Sequence, residues 1–121
     1  MLIAFANNQS MAALNPTPSV ICTDPVALNG DDRVAVHLFC ESIFNPLAAS
    51  GLTYLGQVSN DGTNWVDIAT LTDFADAVTT VPKAKVIAVN GAFLRFRFTF
   101  SASAGNIGGC TFDLHVLTDK S

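Results

Sequence analysis

The chain has 121 residues, room for one domain and one sandwich-sized core but not for a second. Half of the residues are hydrophobic and only 13% are charged, against about 25% in an ordinary soluble domain, so part of the apolar surface is expected to meet a partner. The formal net charge is -4 and the six basic residues (Arg33, Lys83, Lys85, Arg95, Arg97, Lys120) are scattered, which argues against a phosphate-binding nucleic-acid surface and against a polybasic membrane patch.

Residues 1–19 begin apolar, pass through Asn7-Asn8-Gln9-Ser10 and end in Asn15-Pro16-Thr17-Pro18. Proline blocks a long helix, so this segment is expected to be an N-terminal arm or edge strand beside a single β-sandwich domain over 20–121. Leu2, Ile3, Phe5, Pro16 and Pro18 are its candidate partner-binding residues, in a segment ordered by a neighbour. The apolar start has no basic leader and stops short of a signal core or membrane span, which predicts synthesis in a cytoplasm.

Ser19 to Thr23 is a short strand candidate ended by Asp24-Pro25 and the loop Asn29-Gly30-Asp31-Asp32. From residue 33 to 41 the period is two: Val34, Val36, Leu38 and Cys40 share one face, while Arg33, Ala35, His37, Phe39 and Glu41 share the other. Leu52 to Val58 follows as a strand, Ser59-Asn60-Asp61-Gly62-Thr63-Asn64 as a tight reversal, and Trp65 to Ala69 as the returning strand. Between Thr70 and Val81 the pattern weakens to a connection with one helical turn. Ala84 to Val89 resumes the strand pattern, and Asn90-Gly91 reads as a hairpin turn.

Near the end, Leu94, Phe96, Phe98 and Phe100 alternate with Arg95, Arg97 and Thr99, and Cys110, Phe112, Leu114 and Val116 alternate with Thr111, Asp113 and His115. Read as a hairpin closed by a flexible tip over Gly105 to Gly109, these strands place Phe98 opposite Phe112 and Arg97 opposite Asp113. The whole is an all-β chain of roughly seven to eight strands, an antiparallel β-sandwich or jelly roll.

Little in the chain points to chemistry. His37 and His115 lie on the polar sides of their strands, and the side chain of Cys110 faces away from His115, so no nucleophile meets a base and no enzyme is expected. Cys22, Cys40 and Cys110 lie too far apart for a metal cluster and are expected to be buried free thiols. Asp24, Asp31 and Asp32, like Asp73 and Asp76, read as solvated turn carboxylates rather than calcium ligands. No cofactor is implied. Tyr54 and Trp65 could stack on a sugar ring, but packing in the core or at its rim is the better reading, and the nine phenylalanines also favour packing.

The turn Ser59-Asn60-Asp61-Gly62-Thr63-Asn64-Trp65 and the later strand Phe93-Leu94-Arg95-Phe96-Arg97-Phe98-Thr99 resemble a pattern found in small β-sandwich structural proteins of tailed bacteriophages, namely capsid decoration (cement) and tail accessory proteins. Discoidin-like carbohydrate-binding modules share the Ser-Asn-Asp-Gly-x-Asn-Trp hairpin. The similarity covers residues 52 to 117. It implies a virion component, a homo-oligomer with a trimer favoured, that binds the major capsid protein or another virion protein and stabilises the shell. The alternative it implies is a glycan-binding module of a tail or cell-surface assembly that uses Tyr54 and Trp65.

Overall fold

A computed structural model describes residues 1–48, 51–68 and 82–121; the expected connection over 70–81 lies outside the described residues. Among the described residues there are nine strands and no helix: β1 (Leu2–Leu14), β2 (Ser19–Cys22), β3 (Val26–Ala27), β4 (Arg33–Phe44), β5 (Leu52–Ser59), β6 (Val66–Asp67), β7 (Lys83–Ala88), β8 (Phe93–Phe100) and β9 (Ile107–Asp119).

The antiparallel pairs are nested. β1 pairs with β9, β2 and β3 with β8, β4 with β7, and β5 with β6, as if one long hairpin had been folded at the 60–65 turn. Winding that hairpin brings β4 beside β9 and β5 beside β8. Two sheets result, one in the order β1-β9-β4-β7 and one in the order β2-β8-β5-β6 with β3 also on β8, and this is the jelly-roll arrangement. β2 and β3 are two pieces of one edge strand, aligned with opposite ends of β8. Thr23 keeps the ladder going at the break: its N–H donates to the Phe96 carbonyl at 2.8 Å and its hydroxyl accepts from the Phe96 N–H at 3.0 Å.

The core lies between the sheets. Val34, Val36 and Leu38 of β4 and Phe112, Leu114 and Val116 of β9 face Leu52 and Tyr54 of β5 and Leu94, Phe96, Phe98 and Phe100 of β8, all essentially inaccessible to water. The alternation seen in the sequence therefore assigns the faces of these strands correctly, and each buried Phe or Leu contributes about 1.5–3 kcal/mol of transfer free energy.

It does not assign their neighbours. β8 and β9 form no hairpin; they belong to different sheets, and residues 101–106 arch over the end of the sandwich. Phe98 does meet Phe112, with ring centroids 4.7 Å apart, but across the core rather than along a ladder. Arg97 aligns with Leu55 and Cys22 on one sheet and Asp113 with Phe39 on the other, so the expected Arg97–Asp113 pair is absent. The physical reason is that alternation specifies which face is buried without specifying which strand lies alongside. Asn90-Gly91 is likewise a crossing from β7 to β8, in which Ala92 N–H donates to the Ser59 carbonyl at 2.9 Å. The expected flexible tip is also shorter than the glycines suggested. Gly105 adopts a left-handed turn conformation (φ 75°), whereas Gly108 and Gly109 are buried residues of β9.

The β5–β6 reversal is where the sequence placed it, and Asp61 organises it. Its Oδ1 accepts from the N–H groups of Thr63 and Asn64, both at 2.8 Å, and from the Ser59 hydroxyl at 3.0 Å, while Oδ2 accepts from the Asn64 amide at 2.7 Å. The Asn64 and Thr63 N–H groups, followed by the two side-chain donors, hold this carboxyl well below the ordinary aspartate range. A depressed folded pKa stabilises above the unfolded value and loses that contribution as pH falls. Asp61→Ala should therefore lower the melting temperature at neutral pH, and the gap to the parent protein should narrow from about pH 5 to about pH 2 in a thermal-melt series.

Candidate interaction surfaces

The outer face of the β1-β9-β4-β7 sheet carries the first candidate surface. Registers Leu2↔Leu117, Ala35↔Leu117 and Ala35↔Val86 place one apolar residue from each of the four strands in a single row. Leu2 is 74% exposed, Val86 64% and Leu117 50%. On one side of the row Arg33 and Asp119 form a two-pronged ion pair at 2.8 and 2.7 Å. On the other, His37 lies directly opposite His115, with Ala84 and Ala4 as their next neighbours. Phe39 leans against both imidazoles, with ring centroids 6.2 and 6.0 Å away.

A polar corner closes this face. β1 bulges between Ala6 and Gln9, where Asn8 takes a left-handed backbone (φ 50°) that asparagine tolerates. Its N–H donates to Asp113 Oδ1 at 2.5 Å, and its side-chain amide, turned nitrogen-first, reaches both Glu41 oxygens at 3.0 and 2.8 Å. The hydrogen bond with Asp113 pushes the Glu41 carboxyl upward, while the Asn8 N–H holds Asp113 below its ordinary range. Arg33 and Asp119 are thus paired in charge, whereas Glu41 and Asp113 are hydrogen-bonded through the neutral Asn8 and leave an acidic corner at the Asn8 bulge, away from the apolar row.

The outer face of the other sheet is more polar. Arg95 lies 4.1 Å over the Trp65 ring, its Nε donates to Gln57 Oε1 at 2.9 Å, and Gln57 Nε2 donates to Asp67 Oδ1 at 2.8 Å. The relay pins the guanidinium on the indole, a cation–π arrangement that occupies one face of the ring. Tyr54 is 2% exposed and lies against Phe96 and Phe98 in the core, where burial raises its hydroxyl pKa. The two-ring sugar platform is therefore not formed.

The five partner-binding candidates are divided between the ends of β1. Leu2 enters the outer apolar row, while Ile3 aligns with core residue Val116 and Phe5 packs edge-on against Phe96 at 4.9 Å. Pro16, after a cis bond, and Pro18 are exposed beyond the far end of the strand, about 40 Å from Leu2 at the usual rise per residue. Missed in the sequence were Leu117 and Val86. For Leu117 the signal was a leucine in the outward phase of a strand whose inward phase was already apolar; Val86 gave none, because the inward phase of β7 carries Lys83 and Lys85.

The thiols divide too. Cys40 and Cys110 are buried, and burial pushes Cys110 up to about 12, which leaves it a protonated core residue. Cys22 is exposed, contrary to expectation, because edge strand β2 turns Ile21 inward and Cys22 outward. Asp31 accepts from the Thr118 hydroxyl at 2.6 Å, and Asp32 accepts from the Ser121 N–H and hydroxyl at 2.8 and 2.9 Å, so both carboxylates tie their loop to the C-terminal end. Asp73 and Asp76 lie outside the described residues, and among the described residues no three His, Cys, Asp or Glu side chains group to hold a metal.

No protein-family profile and no curated protein matches this sequence. Solved structures do match its fold. A chain of the infectious bursal disease virus VP2 subviral particle superposes with a TM-score of 0.60 over 99% of this chain at 14% identity. A chain from the Gt strain of that virus gives 0.60 over 98% at 13%, and one from the Gx strain 0.57 over 96% at 12%. The present chain spans about a third of the length of each, between 30% and 32%. At these identities the likeness establishes the jelly-roll fold and nothing finer.

Proposed function

We propose that this chain is a non-enzymatic structural protein of a virus particle, most specifically a bacteriophage capsid decoration protein that works as a homo-oligomer, with three copies as the unit. The observation that carries the reading is the outer face of the β1-β9-β4-β7 sheet, where an exposed apolar row crosses all four strands beside the paired Arg33 and Asp119. An apolar strip of this kind suits contact with protein, because burying Leu2, Leu117 and Val86 releases water without stranding an ion. The fold supports the same reading, since the similar solved chains come from virus structures, one of them a subviral particle. Glycan binding is the weaker alternative, because only Trp65 of the two aromatic candidates reaches the surface and Arg95 covers one side of it.

Binding to an assembled shell and not to free shell subunits would stabilise the shell by mass action. Light scattering coupled to size exclusion should give three times 12.7 kDa, and the protein should co-sediment with the particles of its source. Leu117→Lys, which places a charge in the centre of the row, should weaken particle binding by about tenfold or more, a cost near 1.4 kcal/mol. A monomer that ignores particles and binds glycans would overturn the reading.

A further inference from the structure

The four sheet edges are not defended alike. Open edges invite pairing with another chain unless they are short, broken or charged, or carry proline. β6 has two described residues, β2 and β3 are short pieces split around Asp24-Pro25, and β7 carries Lys83 and Lys85 just after Pro82. β1 is different. It runs for 13 residues, forms the outer edge of its sheet, and carries no Asp, Glu, Lys or Arg; the first such residue in the chain is Asp24, and the bulge at Asn8 is its one defence, leaving an open stretch on either side.

A groove of about 340 Å³ opens beside that strand, between the β1 edge and the β2–β3 edge of the other sheet. Ile3, Phe5, Ile21 and Phe98 line it on the apolar side, and Gln9, Thr23 and Asp24 make the rest of its wall polar. A strand added to β1 would satisfy the outward amides and carbonyls and would turn its inward side chains over this mixed opening, the apolar ones toward Ile3, Phe5 and Ile21.

We propose that β1 is a strand-addition site for the β1 of a second copy of this chain, antiparallel across a two-fold axis, so that the two β1-β9-β4-β7 sheets become continuous. A second copy fits because the chain is acidic overall, and β1 is the long edge along which two copies approach with no ionic side chain opposing another. The strand is also self-matched in chemistry: an antiparallel pairing about Asn8 sets Ile3 and Phe5 of one copy against Ala13 and Met11 of the other, and Leu2 and Ala4 against Leu14 and Ala12, on either side of the bulge. A two-fold contact pairs two copies and does not build the three-copy unit; it joins one such unit to the next as concentration rises, at the edge of the sheet, and leaves the outer face available for the shell contact proposed above.

Amide hydrogen exchange followed by NMR at rising protein concentration tests it. Strand addition should protect alternate β1 amides, those pointing away from β9, more strongly as concentration rises, and Ala12→Lys should weaken the self-association by about tenfold or more. If Ala12→Lys fails to fold, Asn7→Lys, at an exposed position in the bulge, replaces it. Leu117→Lys should leave this protection intact while impairing particle binding. Alternate β1 amides that exchange at the same rate at every concentration, or protection that survives the β1 lysine and disappears with Leu117→Lys, would overturn the pairing while leaving the virion reading in place.

Discussion

Truncating Phe112 to alanine should cost about 3–5 kcal/mol of unfolding free energy, a large share of the roughly 5–15 kcal/mol that holds a domain of this size together. Phe112 and its partner Phe98 are both fully buried. Their rings meet 4.7 Å apart at an angle of 57°, one projecting from each sheet, so this contact ties the two layers of the jelly roll together. Phe98→Ala should cost a similar amount. In urea melts the double variant should lose less than the sum of the two singles, because the second truncation opens onto the cavity left by the first and the direct ring–ring term of about 0.5–1.5 kcal/mol is removed only once. Additive losses would mean that the rings do not share one site.

That pair also shows how far the sequence could be read. Strict alternation over 94–100 and 110–116 identifies the inward phase because one face of each strand must leave water, and the structure buries those residues. Which strand lies beside which is decided by the winding of the whole hairpin, and the sequence between residues 101 and 109 carried a stronger local hint of a turn than of an arch. The outer row of Leu2, Ala35, Val86 and Leu117 was illegible for the same reason: its members come from four strands and are joined only by cross-strand register. Asn8 was a further case. Asn-Asn-Gln in sequence suggests a loop, but here it is a bulge whose left-handed asparagine gathers Asp113 and Glu41 while β1 continues beyond it. The Asp61 turn was legible because every one of its partners lies within three residues.

Gly108→Ala should destabilise the protein by about 3 kcal/mol, at the upper end of the cost of forcing extra volume into packed structure, whereas Gly105→Ala should cost about 1–2 kcal/mol through backbone conformation alone. The two glycines lie three residues apart and differ in what surrounds them. A Cβ on Gly105 would meet nothing within 4 Å, so only its left-handed φ of 75° resists substitution. A Cβ on Gly108 would lie 2.6 Å from the Asn45 carbonyl oxygen and 2.9 Å from that of Phe44, both backbone atoms with no rotamer to yield. The Asn45 carbonyl also accepts the Ser103 N–H at 2.8 Å, and the Asn45 amide donates to the Ile107 carbonyl at 3.1 Å, so moving that carbonyl aside loosens the arch from β8 to β9. Chemical denaturation of the two variants side by side checks the contrast. Equal, small losses would place Gly108 in a pliable tip and would undo the assignment of residues 107–109 to a strand packed against the end of β4.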